Sequence, residues 1–222
     1  MNVLLTGVNG FIGRNLAVHL LKRGYGVIGI DISKDCVVNE ISAYYSGSIL
    51  DKDLISKVIK NADVVIHLAA MTSHTDIVNN KFRTLETNLK GTQNILEAFN
   101  SSERACKFIY SSTGKVYGEI DQVPITEKSP AKPLNILGKS KLITEQLIDF
   151  YSDNEKDFTI FRIFQIYGPN QQNNFLIPTI LSQVDNICKE KKAKIVLGDI
   201  KAKRDYVYVD DVINAFMKAI EV

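Results

Sequence analysis

The chain lacks the features that mark a membrane protein or a nucleic-acid-binding protein. No apolar run approaches the roughly 20 residues that a membrane-spanning helix needs. The net charge is only +2, with 23% charged residues, so composition gives no electrostatic reason to expect nucleic acid or a membrane surface as a partner. The apolar first residues are the start of a strand pattern, and we expect no signal peptide before them.

Cysteine and histidine are also scarce. The three cysteines, Cys36, Cys106 and Cys188, are odd in number and scattered, which is typical of free thiols in a reducing compartment, so we expect a cytoplasmic protein. The only histidines are His19, His67 and His74, and no metal-ligand cluster is visible among them. What the chain does have is a 45% apolar fraction over 222 residues, enough for one large α/β domain or for a domain and part of another.

The most informative stretch is the glycine-rich sequence T-G-V-N-G-F-I-G at residues 6–13. A short apolar run precedes it, and residues 15–22 after it are apolar at helical spacing. Strand, glycine turn and helix in this order are the context of a dinucleotide-binding turn, because glycines let the backbone approach a pyrophosphate. The helix start then offers N–H groups and a positive dipole end. The alternative is an ordinary turn that happens to contain glycines, but the flanking pattern favours the cofactor.

A second strand pattern, at residues 25–30, ends at Asp31. An acidic residue about 20 residues beyond the glycine turn, at a strand end, is placed to accept hydrogen bonds from an adenosine ribose. The same charge would repel a 2′-phosphate, so NAD is favoured over NADP. The alternative is a plain turn residue, since residues 31–35 have a loop pattern.

Strand and helix patterns alternate along the first three quarters of the chain. This alternation predicts an α/β fold with a doubly wound parallel sheet, whose ligands lie beyond the carboxyl ends of the strands. A polar stretch at 119–135 is predicted to be a long loop, and such loops are often functional. Further strands are predicted at 43–48, 63–68, 107–111 and 158–164, and helices at 51–60, 84–100 and 139–151.

Several separate motifs stand in order along the chain, and together they resemble the extended short-chain dehydrogenase/reductase family. Within it the chain is most similar to the NAD-dependent nucleotide-sugar epimerases and dehydratases, of which UDP-galactose 4-epimerase is the type. The resemblance covers essentially the whole chain and implies a Rossmann-type fold. The motifs are residues 6–13, Asp31, Asp51, H-L-A-A at 67–70, N-L-K-G-T at 88–92, Y-S-S-T at 110–113 with V-Y-G at 116–118, G-K-S-K at 138–141, R-I-F before Y-G-P at 162–169, and R-D-Y-V-Y-V-D-D-V at 204–212.

The resemblance also implies residue roles for bound NAD. The glycines of the turn, with two backbone N–H groups beside them, would hold the pyrophosphate, and an acid would hold the adenosine ribose. Other residues would contact the adenine, line the cleft or lie near the nicotinamide. The implied cofactor residues are Gly7, Gly10, Phe11, Ile12, Gly13, Asp31, Ile49, Asp51, Leu68, Ala69, Ala70, Asn88, Ser111 and Lys141. Read singly, Asn88 and Lys141 could also be ordinary helix-surface residues.

For catalysis the resemblance implies Thr113, whose hydroxyl would bind the sugar oxygen, and Lys141, which would bind the nicotinamide ribose. The family's catalytic tyrosine stands four residues before that lysine, and here the position holds Leu137. Leucine carries no proton, and loss of a positioned acid or base typically costs on the order of 10²- to 10⁴-fold in rate. Activity is therefore expected to be weak or lost unless Thr113 itself, Tyr117, His74 or a water held by Lys141 carries the proton.

The substrate implied by the resemblance is a UDP- or dTDP-sugar, and four residues are expected near it: His74, Gln165, Asn174 and Arg204. Dehydratases of the family carry Asp-Glu after the catalytic threonine, whereas this chain has Gly114 and Lys115. A 4-epimerase or simple dehydrogenase is therefore favoured over a 4,6-dehydratase. Relatives usually form dimers through two helices, which here would be those at 84–100 and 139–151.

Two functions remain open from the sequence. One is an NAD-dependent nucleotide-sugar epimerase with an altered proton route. The other is a non-catalytic NAD-binding protein, such as a pseudoenzyme or a regulatory or assembly partner. We expect an NAD-binding domain at residues 1–168 and a small, apparently incomplete substrate-binding lobe at 169–222, as in a piece of a longer enzyme.

Overall fold

The computed structural model describes residues 1–120, 123–152, 155–190, 194–198, 201 and 203–222, with only the backbone for 74–76 and 188–190. Six parallel strands form the central sheet in the order β3-β2-β1-β4-β5-β6. They are β1 (Asn2–Thr6), β2 (Gly26–Asp31), β3 (Ala43–Ser46), β4 (Val64–His67), β5 (Lys107–Thr113) and β6 (Asp157–Ile163).

Strands β1 and β4 are the central pair of the sheet, and the strand order reverses between them. Strands β1 and β4 are almost continuously apolar and buried, as expected for strands covered by helices on both faces. The predicted doubly wound, Rossmann-type sheet is confirmed. In such sheets ligands bind in the crevice outside the carboxyl ends of the strands at the point of reversal. That crevice lies beside Thr6, where the glycine turn begins.

The helices on the two faces agree with most of the predicted pattern. The predicted helix at 84–100 is present as three consecutive segments, of which the middle one, Glu86–Lys90, is π-helical. The helix predicted from residue 139 begins earlier, because the Asn135 side chain accepts the N–H of Gly138 at 2.8 Å and so caps its first turn. The α-helices are α1 (Phe11–Lys22), α2 (Lys52–Ile59), α3 (His74–Asn79), α4 (Lys81–Leu85), α5 (Gly91–Asn100), α6 (Ile136–Tyr151), α7 (Leu176–Glu190) and α8 (Val209–Glu221).

Two apolar cores lie on opposite faces of the sheet. One contains Leu16 and Leu20 of α1 together with Phe216 of α8, and the other contains Ile55 of α2 and Phe99 of α5. Helix α8 therefore covers the same sheet as α1, although it falls late in the chain. The division at residue 168 remains a prediction.

The segment between β6 and α8 forms a smaller unit. Strands β7 (Gln165–Tyr167) and β8 (Tyr206–Tyr208) pair in parallel as a separate two-stranded sheet. Helix α7 leaves Leu181 63% exposed, so part of its apolar surface is uncovered within the described chain.

The described residues of the predicted loop at 119–135 contain no helix or strand. None of the helices described here is long and apolar enough to cross a membrane.

Candidate functional site

The glycine turn after β1 is packed so closely that side chains are excluded from it. Gly7 has φ +72°, and a Cβ there would lie 2.9 Å from the backbone nitrogen of Ala69. A Cβ at Gly13 would lie only 2.2 Å from the carbonyl oxygen of Gly7. The turn, the first turn of α1 and the segment after β4 therefore meet backbone to backbone.

The start of α1 is open to an anion. Gly10 is the N-cap residue, so no side chain caps the helix, and the first turn carries no acidic residue. The first N–H groups of a helix have no partner inside it, and in α1 the first two belong to Phe11 and Ile12. Backbone donors on a glycine cradle at a positive helix end fit the pyrophosphate of a dinucleotide.

Asp31 is the last residue of β2 and lies next to this turn. Its carboxylate accepts the N–H of Asn9 at 3.1 Å, and both the N–H and the hydroxyl of Ser33 at 3.1 Å. The acid is therefore both a turn residue and fixed beside the cradle, so the two interpretations from the sequence are compatible. A carboxylate in this position can accept from ribose hydroxyls and repels a 2′-phosphate.

The residues implied for the adenine have structural contacts of their own. Ile49 is 4% exposed, and its Cδ1 lies so close to Gly91 that a Cβ there would be 2.4 Å away. The Asp51 carboxylate accepts the N–H of Leu54 at 3.0 Å and so caps α2. Their contact with adenine stays a prediction.

The candidate catalytic residues lie near the carboxyl end of β5. Thr113 ends the strand, and its hydroxyl oxygen accepts the N–H of Lys115 at 3.3 Å. Lys141, on α6, is buried; its Nζ donates to the carbonyl oxygen of Ser111 at 2.7 Å and lies 4.5 Å from the centre of the Tyr110 ring. The fold thus brings the Nζ of Lys141 to the backbone of Ser111, which is two residues before Thr113 in β5.

Burial makes Lys141 an unusual lysine. Loss of hydration lowers the pKa of its ammonium to about 7, although the charge of Glu145 one turn later opposes the shift. An ammonium that loses its proton this easily can exchange one near neutral pH.

Leu137 occupies the first turn of α6, one turn before Lys141, and is 9% exposed. Of the proposed substitutes for the tyrosine, Tyr117 is 3% exposed, and its hydroxyl accepts a hydrogen bond from Arg162 at 3.1 Å. The side chain of His74 lies outside the described part of the structure. Thr113 is two residues after Ser111, whose carbonyl oxygen accepts from Lys141.

Asn88 is 1% exposed in the π-helical segment, so it is not on the helix surface. Its Oδ1 accepts the N–H of Met71 at 2.8 Å, and its Nδ2 donates to the Met71 carbonyl at 3.3 Å and to the Ser140 hydroxyl at 3.1 Å. The amide therefore ties the chain after β4 to the first turns of α6.

A charged pair that the sequence patterns did not predict joins α6 to β6. The Arg162 guanidinium donates to Glu145 through Nε and through Nη2, the latter at 2.7 Å, and the Ser112 hydroxyl donates to the same carboxylate. This pair raises the pKa of Arg162 and fixes α6 against β5 and β6. The available signal was Glu145 itself, which follows Leu137 and Lys141 at four-residue spacing on one helix face.

Three of the candidate substrate residues, Gln165, Asn174 and Arg204, follow β6 and are exposed. Gln165 begins β7 and is paired in register with Tyr206, two residues after Arg204. Burial lowers the pKa of Lys115, and the positive charge of Arg204 contributes in the same direction. Asn174 lies exposed in the segment before α7.

Together, the sheet, the glycine cradle and the acid at the end of β2 define a dinucleotide-binding Rossmann protein of the short-chain dehydrogenase/reductase type. The sequence model of the NAD dependent epimerase/dehydratase family matches residues 3–222, and the chain belongs to this family. NAD is its cofactor, and the cradle described above fits that group.

Among its relatives, a putative UDP-glucose 4-epimerase of Methanocaldococcus jannaschii is 33% identical over 98% of this chain and 73% of that protein. The solved structure of a Thermotoga maritima UDP-glucose 4-epimerase with UDP-glucose matches with a TM-score of 0.88 and 33% identity, covering 100% of this chain and 74% of that one. A Thermus thermophilus UDP-glucose 4-epimerase in complex with NAD matches with a TM-score of 0.85 and 28% identity, covering 99% and 74%.

Proposed function

We propose that this protein is a nucleotide-sugar epimerase of the 4-epimerase type, acting on a UDP- or dTDP-sugar by transient hydride transfer with an altered proton route. The observation that supports this most directly is the buried Lys141, whose Nζ donates to Ser111 two residues before Thr113. The proposal assigns the hydroxyl and the ammonium to the same strand end of the sheet. When bound, NAD supplies the acceptor for the hydride.

The chain's own residues would divide the work as follows. The glycine turn and the N–H groups of α1 would hold the pyrophosphate, and Asp31 would hold the adenosine ribose. Lys141 would hold the nicotinamide ribose, and the Thr113 hydroxyl would hold the sugar oxygen. Arg204 and Gln165, on the two-stranded sheet after β6, would meet the rest of the nucleotide sugar.

The proton needs a route that avoids Leu137. We propose that it passes through the Thr113 hydroxyl or a water held by Lys141, because Lys141 binds the Ser111 carbonyl two residues before Thr113 and burial lowers the pKa of its ammonium to about 7. Incubation with NAD and a panel of UDP- and dTDP-sugars should give slow but measurable epimerisation. Turnover equal to a blank without protein across the whole panel would contradict this.

A non-catalytic NAD-binding protein is the second candidate, and the observation that favours it is the buried apolar Leu137 in place of the tyrosine. It predicts NAD binding in calorimetry without turnover of any nucleotide sugar. The two candidates are therefore distinguished by turnover, not by cofactor binding.

The altered pKa of Lys141 also predicts a pH-dependent stability. The unfolded chain holds the lysine proton up to about pH 10.4, whereas the folded chain releases it near pH 7, so the unfolded state binds more protons between these values. The free energy of unfolding of the native protein should therefore rise between about pH 7 and pH 10 relative to that of Lys141→Met. Urea denaturation of both proteins at several pH values measures this; parallel curves would mean that the native lysine keeps an ordinary pKa.

We further propose that a second copy of the chain covers the outer faces of α5 and α6. Between them lies a groove of about 460 Å³ with an apolar floor. Phe150 at its edge is 82% exposed, and Ile143 is 42% exposed. The residues lining the groove are Leu89, Gln93, Ile143, Gln146, Leu147, Phe150 and Tyr151.

Phe150→Asp should convert the dimer to a monomer, because it would place a charge in an apolar interface. Sedimentation velocity of both proteins measures the change. Leu181→Asp on α7 is the matched control, since that leucine is also exposed but lies outside the groove. A native protein that sediments as a monomer, or a control that dissociates equally, would contradict the proposed surface. The cytoplasmic location stays a prediction.

A further inference from the structure

His67, the last residue of β4, is at the centre of a chain of hydrogen bonds. It is 1% exposed, with Nδ1 2.7 Å from the Thr6 hydroxyl oxygen and Nε2 2.9 Å from that of Thr92. Thr92 in turn donates to the backbone carbonyl of Asn88 at 2.6 Å. The imidazole therefore connects the end of β1 to the π-helical segment before α5.

The proton positions along this chain follow from its last bond. Because Thr92 gives its hydroxyl proton to Asn88, it can only accept from His67, so Nε2 carries the ring hydrogen. Nδ1 is then the acceptor for the Thr6 hydroxyl. The oxygen of Thr6 still accepts the N–H groups of Leu68 at 3.2 Å and Ala69 at 3.1 Å.

Burial keeps this ring neutral. Burial first, and the nearby charge of Lys141 second, together lower the pKa of His67 to about 3. A neutral ring has one donor and one acceptor, which is what its two neighbours require. His67 is thus a fixed connector near neutral pH and not a titrating group.

The segment after β4 is held at both ends by the residues that His67 connects. Thr6 binds the N–H groups of Leu68 and Ala69, and the Asn88 amide binds both backbone groups of Met71. Between these ends the backbone passes so close to Gly7 that a Cβ there would lie 2.9 Å from the Ala69 nitrogen. This segment forms one wall of the proposed cofactor cleft, with the glycine turn as the other.

We infer that His67 is a positioning residue for the dinucleotide: by holding the Thr6 hydroxyl and, through Thr92, the Asn88 carbonyl, it fixes residues 68–71 against the glycine turn. His67 does not touch the cofactor in this arrangement and acts through the backbone of Leu68 and Ala69. The inference rests on the proposed NAD cleft and adds a residue to which neither the family resemblance nor the proposed chemistry gives a role.

The test compares three variants with the native protein. His67→Leu removes both ring hydrogen bonds, His67→Gln can keep one donor and one acceptor, and Thr92→Val removes the partner of Nε2 at nearly unchanged volume. NAD affinity is measured by calorimetry, and the exchange of the Ala69 and Met71 amide hydrogens by NMR. Ser102→Ala is the control, because Ser102 is also a buried, hydrogen-bonded residue but lies beyond the end of α5, where its hydroxyl oxygen accepts the N–H of Ala105.

His67→Leu should weaken NAD binding roughly tenfold or more, since it removes the acceptor of the buried Thr6 hydroxyl and the donor to the buried Thr92 hydroxyl, and should speed amide exchange at Ala69 and Met71. His67→Gln should recover part of the NAD affinity and part of the protection from amide exchange. Thr92→Val should change both quantities in the same direction as His67→Leu, but by less. The control should lose stability without losing NAD affinity. In the native protein the imidazole signals of His67 should show no titration above about pH 4.

The outcomes separate the inference from the function on which it rests. A native protein that binds no NAD would overturn the proposed cofactor cleft and the inference with it. Native binding that is unchanged in both His67→Leu and Thr92→Val, or an imidazole that titrates near its ordinary pKa, would overturn the role of His67 alone. If His67→Leu does not fold, Thr92→Val and His67→Gln decide the question by the same two measurements.

Discussion

Replacing Leu137 by tyrosine should raise turnover of the nucleotide sugar by about 10²- to 10⁴-fold, the usual contribution of a positioned acid or base. Leu137 and Lys141 are one turn apart on α6, and the Nζ of Lys141 already lies at the end of β5. A phenol at position 137 would therefore share a helix face with the ammonium. A nearby cation stabilises the phenolate and lowers the pKa of a tyrosine from its usual value of about 10.

The gain should depend on the hydroxyl and on the lysine. Leu137→Phe adds the same ring without a proton and should leave turnover at the native level. Combining Leu137→Tyr with Lys141→Met should remove most of the gain. Steady-state rates with the best substrate of the UDP- and dTDP-sugar panel measure all four proteins. If Leu137→Tyr changes nothing while the native protein turns over sugar, the protein has a complete proton route of its own, and the pseudoenzyme alternative is wrong.

The parts of the fold that could be predicted are those encoded by nearby residues. The apolar runs predicted the strands, and the alternation of strand and helix patterns predicted a parallel sheet. The glycine turn could be located because its chemistry is local: a tight turn followed directly by a helix start. The position of Leu137 followed from its spacing to Lys141, which a helix places on one face.

What could not be predicted depends on side chains that meet only after folding. His67 and Thr92 are 25 residues apart in the chain, and Ser112 and Glu145 are 33 apart, so no periodicity pairs them. The helix starts at Ile136 because the Asn135 side chain caps it, and the apolar pattern contains no information on that hydrogen bond. The burial of Asn88 depends on the π-helical segment, and a regular helical pattern does not predict that geometry.

Gly13→Ala should weaken NAD binding roughly ten- to 100-fold and lower the melting temperature. The added methyl would lie 2.2 Å from the Gly7 carbonyl oxygen and 2.8 Å from that of Val8. Both are backbone atoms and cannot turn aside as a flexible side chain would, so the turn itself must move. Overpacking of this kind typically costs about 1–3 kcal/mol, and each 1.4 kcal/mol corresponds to a tenfold change in affinity when the displaced atoms form the binding site.

Three glycines give a graded series for this test, with NAD titration by calorimetry and thermal melting as the two measurements. A Cβ at Gly10 would lie 3.1 Å from the Gly7 carbonyl oxygen, and one at Gly198 would meet no atom of the described residues within 4 Å. The loss of affinity should therefore be largest for Gly13→Ala, smaller for Gly10→Ala and absent for Gly198→Ala. Because all three changes add the same methyl group, this order would trace the effect to backbone approach at the turn. Equal effects at Gly13 and Gly198 would mean that the turn does not hold the cofactor, and the proposed cleft would have to be abandoned.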